Sequence, residues 1–81
     1  MTARALANRI IKCFENGGKI LICGNGGSAT MSSHFAAELV SKFEVGWEKR
    51  SALPAISLCV DPAVITGIAN DYGFEYVFER Q

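Results

Sequence analysis

The chain has 81 residues, 49% of them hydrophobic and 20% charged, a balance that suits a packed domain rather than a disordered segment and a length that holds one domain or a piece of one. Eight Lys and Arg stand against eight Asp and Glu, for a formal net charge of zero, so there is no electrostatic footprint for nucleic acid or an anionic membrane. No stretch approaches the roughly 18 apolar residues of a spanning helix, and the N-terminus lacks a signal-peptide core, so neither membrane insertion nor export is expected.

In chain order, Ala3, Leu6, Ala7, Ile10, Ile11 and Phe14 recur at spacings of three and four, the stripe of an amphipathic helix over 3–15. Asn16, Gly17 and Gly18 follow and predict a left-handed glycine stop. "KILIC" is a short apolar run bounded by glycines, as expected of a parallel strand buried on both faces. After "GNGGS", the apolar residues Phe35, Ala36, Leu39, Val40 and Phe43 predict a second helix over 28–43 with those five as its core face. Gly46 breaks that pattern, and "AISLCV" is the second strand. Asp61 followed by Pro62 reads as an N-cap with proline at the first helical position, launching a helix to about residue 69. A turn over Asn70 to Gly73 then leads to Phe74, Val77 and Phe78, again at helical spacing. The order α, β, α, β, α, α implies a parallel sheet with right-handed crossovers. Two strands are too few to finish such a sheet, and so short a chain buries only about 60–65% of its unfolded surface, so oligomerisation or further sequence is expected to complete the core.

Cys13, Cys23 and Cys59 are an odd number at wide spacings with no CxxC pair, which argues against a disulfide framework or structural zinc site and for a reducing cytoplasm. Cys23 and Cys59 lie in apolar runs and are expected to be small buried hydrophobes.

A glycine-rich turn between a parallel strand and a helix is where open α/β sheets bind ligands. Glycine permits positive φ and close ligand approach, and the first helical amides favour an anionic or polar group. Ser28 adds a hydroxyl there, although a tight turn with Ser28 as helix cap accounts for the same residues. Gly24, Gly26 and Ala29 also satisfy the dinucleotide pattern G-x-G-x-x-G/A. That pattern requires an acidic residue about 20 positions on, at the end of the second strand, and the candidates Glu44 and Glu48 fall before that strand. No lysine follows the glycines as an NTP-binding loop requires.

His34, the only histidine, and Glu38 are four residues apart and so share a helix face. Met31 and Ser41 flank the stripe, which is expected beside the core face, at the edge of a cleft. The pair suits proton transfer at carbon or two of the ligands to zinc; an ordinary surface pair contributing a few tenths of a kcal/mol to the helix fits the spacing equally.

Together, GNGGSxxxxxHFAAEL, LPAISL, Asp61 and GIANDYGFEYVFERQ resemble the phosphoheptose isomerase branch of the sugar isomerase (SIS) domain family, from about Lys19 to Gln81. The resemblance implies a doubly wound, flavodoxin-like parallel sheet in a homotetramer with active sites between subunits. It implies interconversion of sedoheptulose 7-phosphate and glycero-manno-heptose 7-phosphate, toward the heptose of bacterial lipopolysaccharide. By position, it implies that Gly26, Gly27 and Ser28 contact the sugar phosphate, that Asn70 and Asp71 touch the substrate, that His34 and Glu38 are zinc ligands, and that Glu38 is the proton-transferring base.

Lys42 stands where the family often has arginine, keeping the charge without the bidentate geometry, and Cys59 and Val60 replace threonines common before the aspartate. A family member runs to roughly 190 residues, and its second half supplies a Ser/Thr-rich phosphate loop, a late glutamine and a late histidine. The 81 residues thus correspond to the N-terminal portion of one SIS domain, 1–18 as its first helix and 19–81 as the sugar-phosphate-binding half, expected to be inactive alone. The alternative is a non-catalytic SIS protein that binds phosphosugars or a protein partner. Those relatives tend to lose the acidic residue that Glu38 represents.

Overall fold

The computed structural model describes residues 1–42 and 50–81. Phe43, Gly46, Glu44 and Glu48, invoked above for the end of the second helix and for a dinucleotide site, lie outside the described residues.

Helix α1 spans Ala3–Glu15, as its stripe predicts. Thr2 caps it, its Oγ1 accepting from the Ala5 N–H at 3.0 Å. Gly17 takes φ +77° and its N–H reaches Phe14 O, while the Gly18 N–H reaches Cys13 O. These nested bonds satisfy carbonyls that a helix end leaves open and turn the chain toward the sheet.

Strands β1 (Ile20–Ile22) and β2 (Ala55–Ser57) pair in parallel, with Ile20 opposite Ala55 and Ile22 opposite Ser57. Helix α2 (Gly27–Val40) makes the crossover, and α3 (Pro62–Asp71) follows β2. Asp61 caps α3 as predicted, its Oδ1 accepting from the N–H groups of Ala63 and Val64. The result is a partial unit of a doubly wound α/β sheet, with two strands among the described residues.

Several expectations need correction. Within this chain the strands are covered on one face: Ala55 and Ser57 are buried, but Leu21 is 49% and Ile56 50% exposed. Side chains alternate along a strand, and α2 covers only the Ile20/Ser57 side. Cys23, two residues beyond Leu21, is exposed for the same reason, while Cys59 is half-buried.

The core face of α2 is not the large apolar set. Ser32 and Ala36 are buried, whereas Phe35 is 49% and Val40 48% exposed. Small side chains let the helix lie close on the strands, and the buried hydroxyls this creates are paired. Ser32 Oγ donates to Ala29 O at 2.7 Å and lies 2.8 Å from Ser57 Oγ; the Cys59 N–H donates to Ser57 Oγ at 3.2 Å. Satisfied in this way, the hydroxyls escape the cost of burying an unpaired polar group.

Helix α3 runs to Asp71, past residue 69, so Asn70 and Asp71 belong to its last turn rather than to a loop. The stop comes at Gly73, whose φ is +119° and whose N–H reaches Ala69 O. Finally, Phe74–Tyr76 form one 3-10 turn, followed by further turns, instead of a helix. Val77, only 1% exposed, anchors this segment, and Gln81 Nε2 donates to the carbonyls of Leu58 and Val77.

Candidate functional site

The glycine turn sits at the carboxyl end of β1, where the chain must reverse into α2. Gly26 is the N-cap at φ +58°, ψ −122°, a conformation that costs a residue with a Cβ about 1–3 kcal/mol. Gly24 is required for a different reason: a Cβ there would lie 2.7 Å from Ser28 Cβ and 2.9 Å from the Ser28 carbonyl carbon and oxygen. Gly27 meets neither condition, since a Cβ there would face open space and its φ is not positive.

Ser28 is the second residue of α2 and not its cap; no side chain caps this helix. The N–H groups of Ser28 and Ala29 are taken by the carbonyls of Asn25 and Gly26. The Gly27 N–H and the Ser28 hydroxyl make no hydrogen bond among the described residues. Two donors on exposed residues therefore lie at the positive end of a 14-residue helix, an arrangement suited to a phosphate.

Behind the turn, Cys59 Sγ donates to Gly24 O at 3.2 Å, joining the end of β2 to the start of the glycine segment. Burial opposes ionisation of this thiol, but its polar neighbours Ser32, the Gly24 backbone and Ser57 outweigh it and hold the thiol below its ordinary range. No local pattern along the chain signals this contact across 35 positions.

On α2, His34 Nε2 and Glu38 Oε1 are 2.8 Å apart, with side-chain exposures of 73% and 37%. The two residues lie two positions either side of buried Ala36, so at about 100° per residue each is roughly 160° from it around the helix. The stripe is therefore opposite the core face, not beside it as expected, because the core face is Ser32/Ala36. The pair lines an open, mainly apolar groove of about 310 Å³ with Thr30, Met31 and Phe35.

Asn70 and Asp71 are exposed at the end of α3, with Asn70 Nδ2 donating to Asp71 Oδ1 at 3.3 Å. Among the described residues neither is hydrogen-bonded to the glycine turn or to the His34/Glu38 pair. The chain thus holds three separate pieces: Gly26, Gly27 and Ser28 in one turn, His34 with Glu38 down the same helix, and Asn70 with Asp71 on another.

An imidazole and a carboxylate are suitable donors for zinc, which takes four ligands in a closed site and three with an open position in a catalytic one. Among the described residues no group of three or more His, Cys, Asp or Glu could hold a metal, and His34 with Glu38 alone would make at most two donors.

The family model for the SIS domain matches residues 2–81, and the chain belongs to that family. Within it, the chain is 52% identical over 77 residues to a phosphoheptose isomerase of Roseiflexus sp., covering 95% of this chain and 38% of that protein. It is 55% identical over 75 residues to a phosphoheptose isomerase of Helicobacter hepaticus, covering 93% and 37%. The phosphoheptose isomerase structure from Francisella tularensis superposes with a TM-score of 0.85 at 45% identity, over 94% of this chain and 38% of that one. That from Neisseria gonorrhoeae gives 0.80 at 43%, over 94% and 36%. The chain spans a little over a third of the length of the relatives it matches. No helix among the described residues is long and apolar enough to cross a membrane.

Proposed function

We propose that this chain supplies the amino-terminal part of a cytoplasmic, homotetrameric phosphoheptose isomerase that interconverts sedoheptulose 7-phosphate and D-glycero-D-manno-heptose 7-phosphate, a step toward lipopolysaccharide heptose. The observation that carries the reading is identity of 52% and 55% to phosphoheptose isomerases across more than nine-tenths of the chain, with Glu38 present.

The reaction moves hydrogen between adjacent carbons. A base removes the proton from the carbon bearing the hydroxyl beside the carbonyl, and the electron pair forms an enediol. A proton is then returned to the former carbonyl carbon, while the hydroxyl proton moves between the two oxygens. Glu38 is the base in this reading, with His34 bonded to its carboxylate at 2.8 Å. Gly26, Gly27 and Ser28 hold the substrate phosphate, using the Gly27 N–H and Ser28 hydroxyl. Asn70 and Asp71, which lie apart from both, complete a neighbouring part of the site. The exposure of His34 and Glu38 is compatible with a site that other subunits or other parts of the protein close. Zinc, where bound, would take His34 and Glu38 as two of its ligands and polarise the substrate oxygens.

The test is turnover of sedoheptulose 7-phosphate by the full-length protein and its Glu38→Gln variant. Loss of a general base lowers the rate by about 10²–10⁴-fold, and that loss is expected here. Equal turnover in the two proteins would reject Glu38 as the base; phosphosugar binding without turnover in the wild type would favour a non-catalytic SIS domain.

A further inference from the structure

The carboxyl end of α2 is finished by a side chain from outside the helix. A helix leaves its last four carbonyls without internal donors, and α2 has no basic residue in its last turn. Ala37 O accepts from the Ser41 N–H at 2.8 Å, and Leu39 O from the Leu53 N–H at 3.0 Å. Further closure comes from Arg50, in the segment that leads to β2. Its Nη2 donates to Glu38 O and to Ser41 O, both at 2.9 Å. Its Nη1 donates to Leu39 O at 2.9 Å and to Ser51 O at 3.1 Å. One planar cation thus holds two of the helix's last four carbonyls, Glu38 and Leu39, and that of Ser41 just beyond, and places a positive charge at the negative end of the dipole.

We infer that Arg50 is a positioning residue that fixes the last turn of α2 and so sets where the Glu38 carboxylate stands; the inference rests on reading Glu38 as the base. Glu38 meets His34 at 2.8 Å only while residues 34–38 keep helical spacing. Fraying of the final turn would release the carboxylate directly, and a misplacement of about 1 Å in a catalytic group can cost on the order of 10²-fold in rate. The phosphate end of the helix should be insensitive, since Gly27 lies about 16 Å from Glu38 along the axis at 1.5 Å per residue. Lysine would restore the charge without the fork that spans three carbonyls.

The experiment compares the full-length wild type with Arg50→Met and Arg50→Lys by steady-state kinetics on sedoheptulose 7-phosphate and by amide hydrogen exchange. In Arg50→Met, kcat is expected to fall about 10- to 100-fold with KM within about twofold of wild type, by the misplacement argument above. The amides of Leu39, Val40, Ser41 and Leu53 should exchange faster, and those of Ser32 and Ser33 should not. Arg50→Lys should fold like wild type yet recover only part of the turnover. A kcat equal to wild type in both variants, unchanged exchange at those four amides, or a loss that merely follows the folded fraction would each overturn the inference. A wild-type protein that does not turn over the heptose phosphate would instead sink the isomerase reading.

Discussion

The three glycines of the turn are glycine for different reasons, and alanine at each separates scaffold from ligand. At Gly24 the added Cβ would lie 2.7 Å from Ser28 Cβ and 2.9 Å from Ser28 backbone atoms, where ordinary contact begins at 3.4 Å. The obstacle is the first turn of α2, which cannot rotate aside as a side chain would, so the overlap should cost about 1–3 kcal/mol. At about 2–4 °C per kcal/mol for chains of 150–250 residues, the full-length variant should melt several degrees lower. Gly26→Ala meets no atom but must hold φ +58°, and is expected to lose about 1–3 kcal/mol from strain. Gly27→Ala has open space and no positive φ, and alanine is the better helix former, so its Tm should match or slightly exceed wild type. If Gly27 is glycine so that a phosphate can approach its N–H, this variant alone should keep its stability while KM rises tenfold or more, about 1.4 kcal/mol of lost binding. Thermal unfolding and steady-state kinetics on the three variants decide the matter. A Gly27→Ala enzyme with wild-type KM would refute the ligand argument, and a Gly24→Ala protein with wild-type Tm would refute the packing argument.

Ser57→Ala removes the partner of Ser32 Oγ and the acceptor of the Cys59 N–H, and should destabilise the full-length protein by about 1–3 kcal/mol. In a double-mutant cycle with Ser32→Ala the losses should be non-additive by about 0.5–1.5 kcal/mol; urea unfolding that gives strictly additive values would show that the hydroxyls do not interact. For Cys59, the folded thiol is held below its ordinary range. A depressed pKa contributes stability that is present above the unfolded value, about 8.5, and fades as pH falls through the folded value. The stability advantage of wild type over Cys59→Ala should therefore grow between pH 7 and pH 9, and an advantage that shrinks over that window would reject the assigned direction.

Much of the architecture was legible because its signals are local. The stripe ending at Phe14 and the Gly17–Gly18 stop define α1 within a residue, and Asp61 with Pro62 marks the start of α3. The candidate site was legible as residue types at spacings: the glycine turn, and His34 one helical turn before Glu38. Which surface is covered is not legible in that way. Phe35 looked like core and is half exposed, while Ser32 looked incidental and is buried. Hydrophobicity ranks side chains one at a time, whereas burial here follows from how closely α2 approaches the strands, which favours small residues with satisfied hydroxyls. The final segment failed for a related reason: the spacing of Phe74, Val77 and Phe78 fits a helix, yet a single 3-10 turn and one buried valine are enough to seat it.

By itself, then, the sequence determined the order of helices and strands through α3, the parallel crossover and the glycine turn at the start of α2, since each rests on short local patterns. Tertiary structure alone decided that His34 and Glu38 stand opposite the sheet, that Cys59 reaches back to Gly24, and that Arg50 closes the helix carrying Glu38. Those relations join positions from 12 to 35 residues apart or depend on which helix face meets the strands. Such distances are fixed by packing in three dimensions, and no pattern along the chain encodes them.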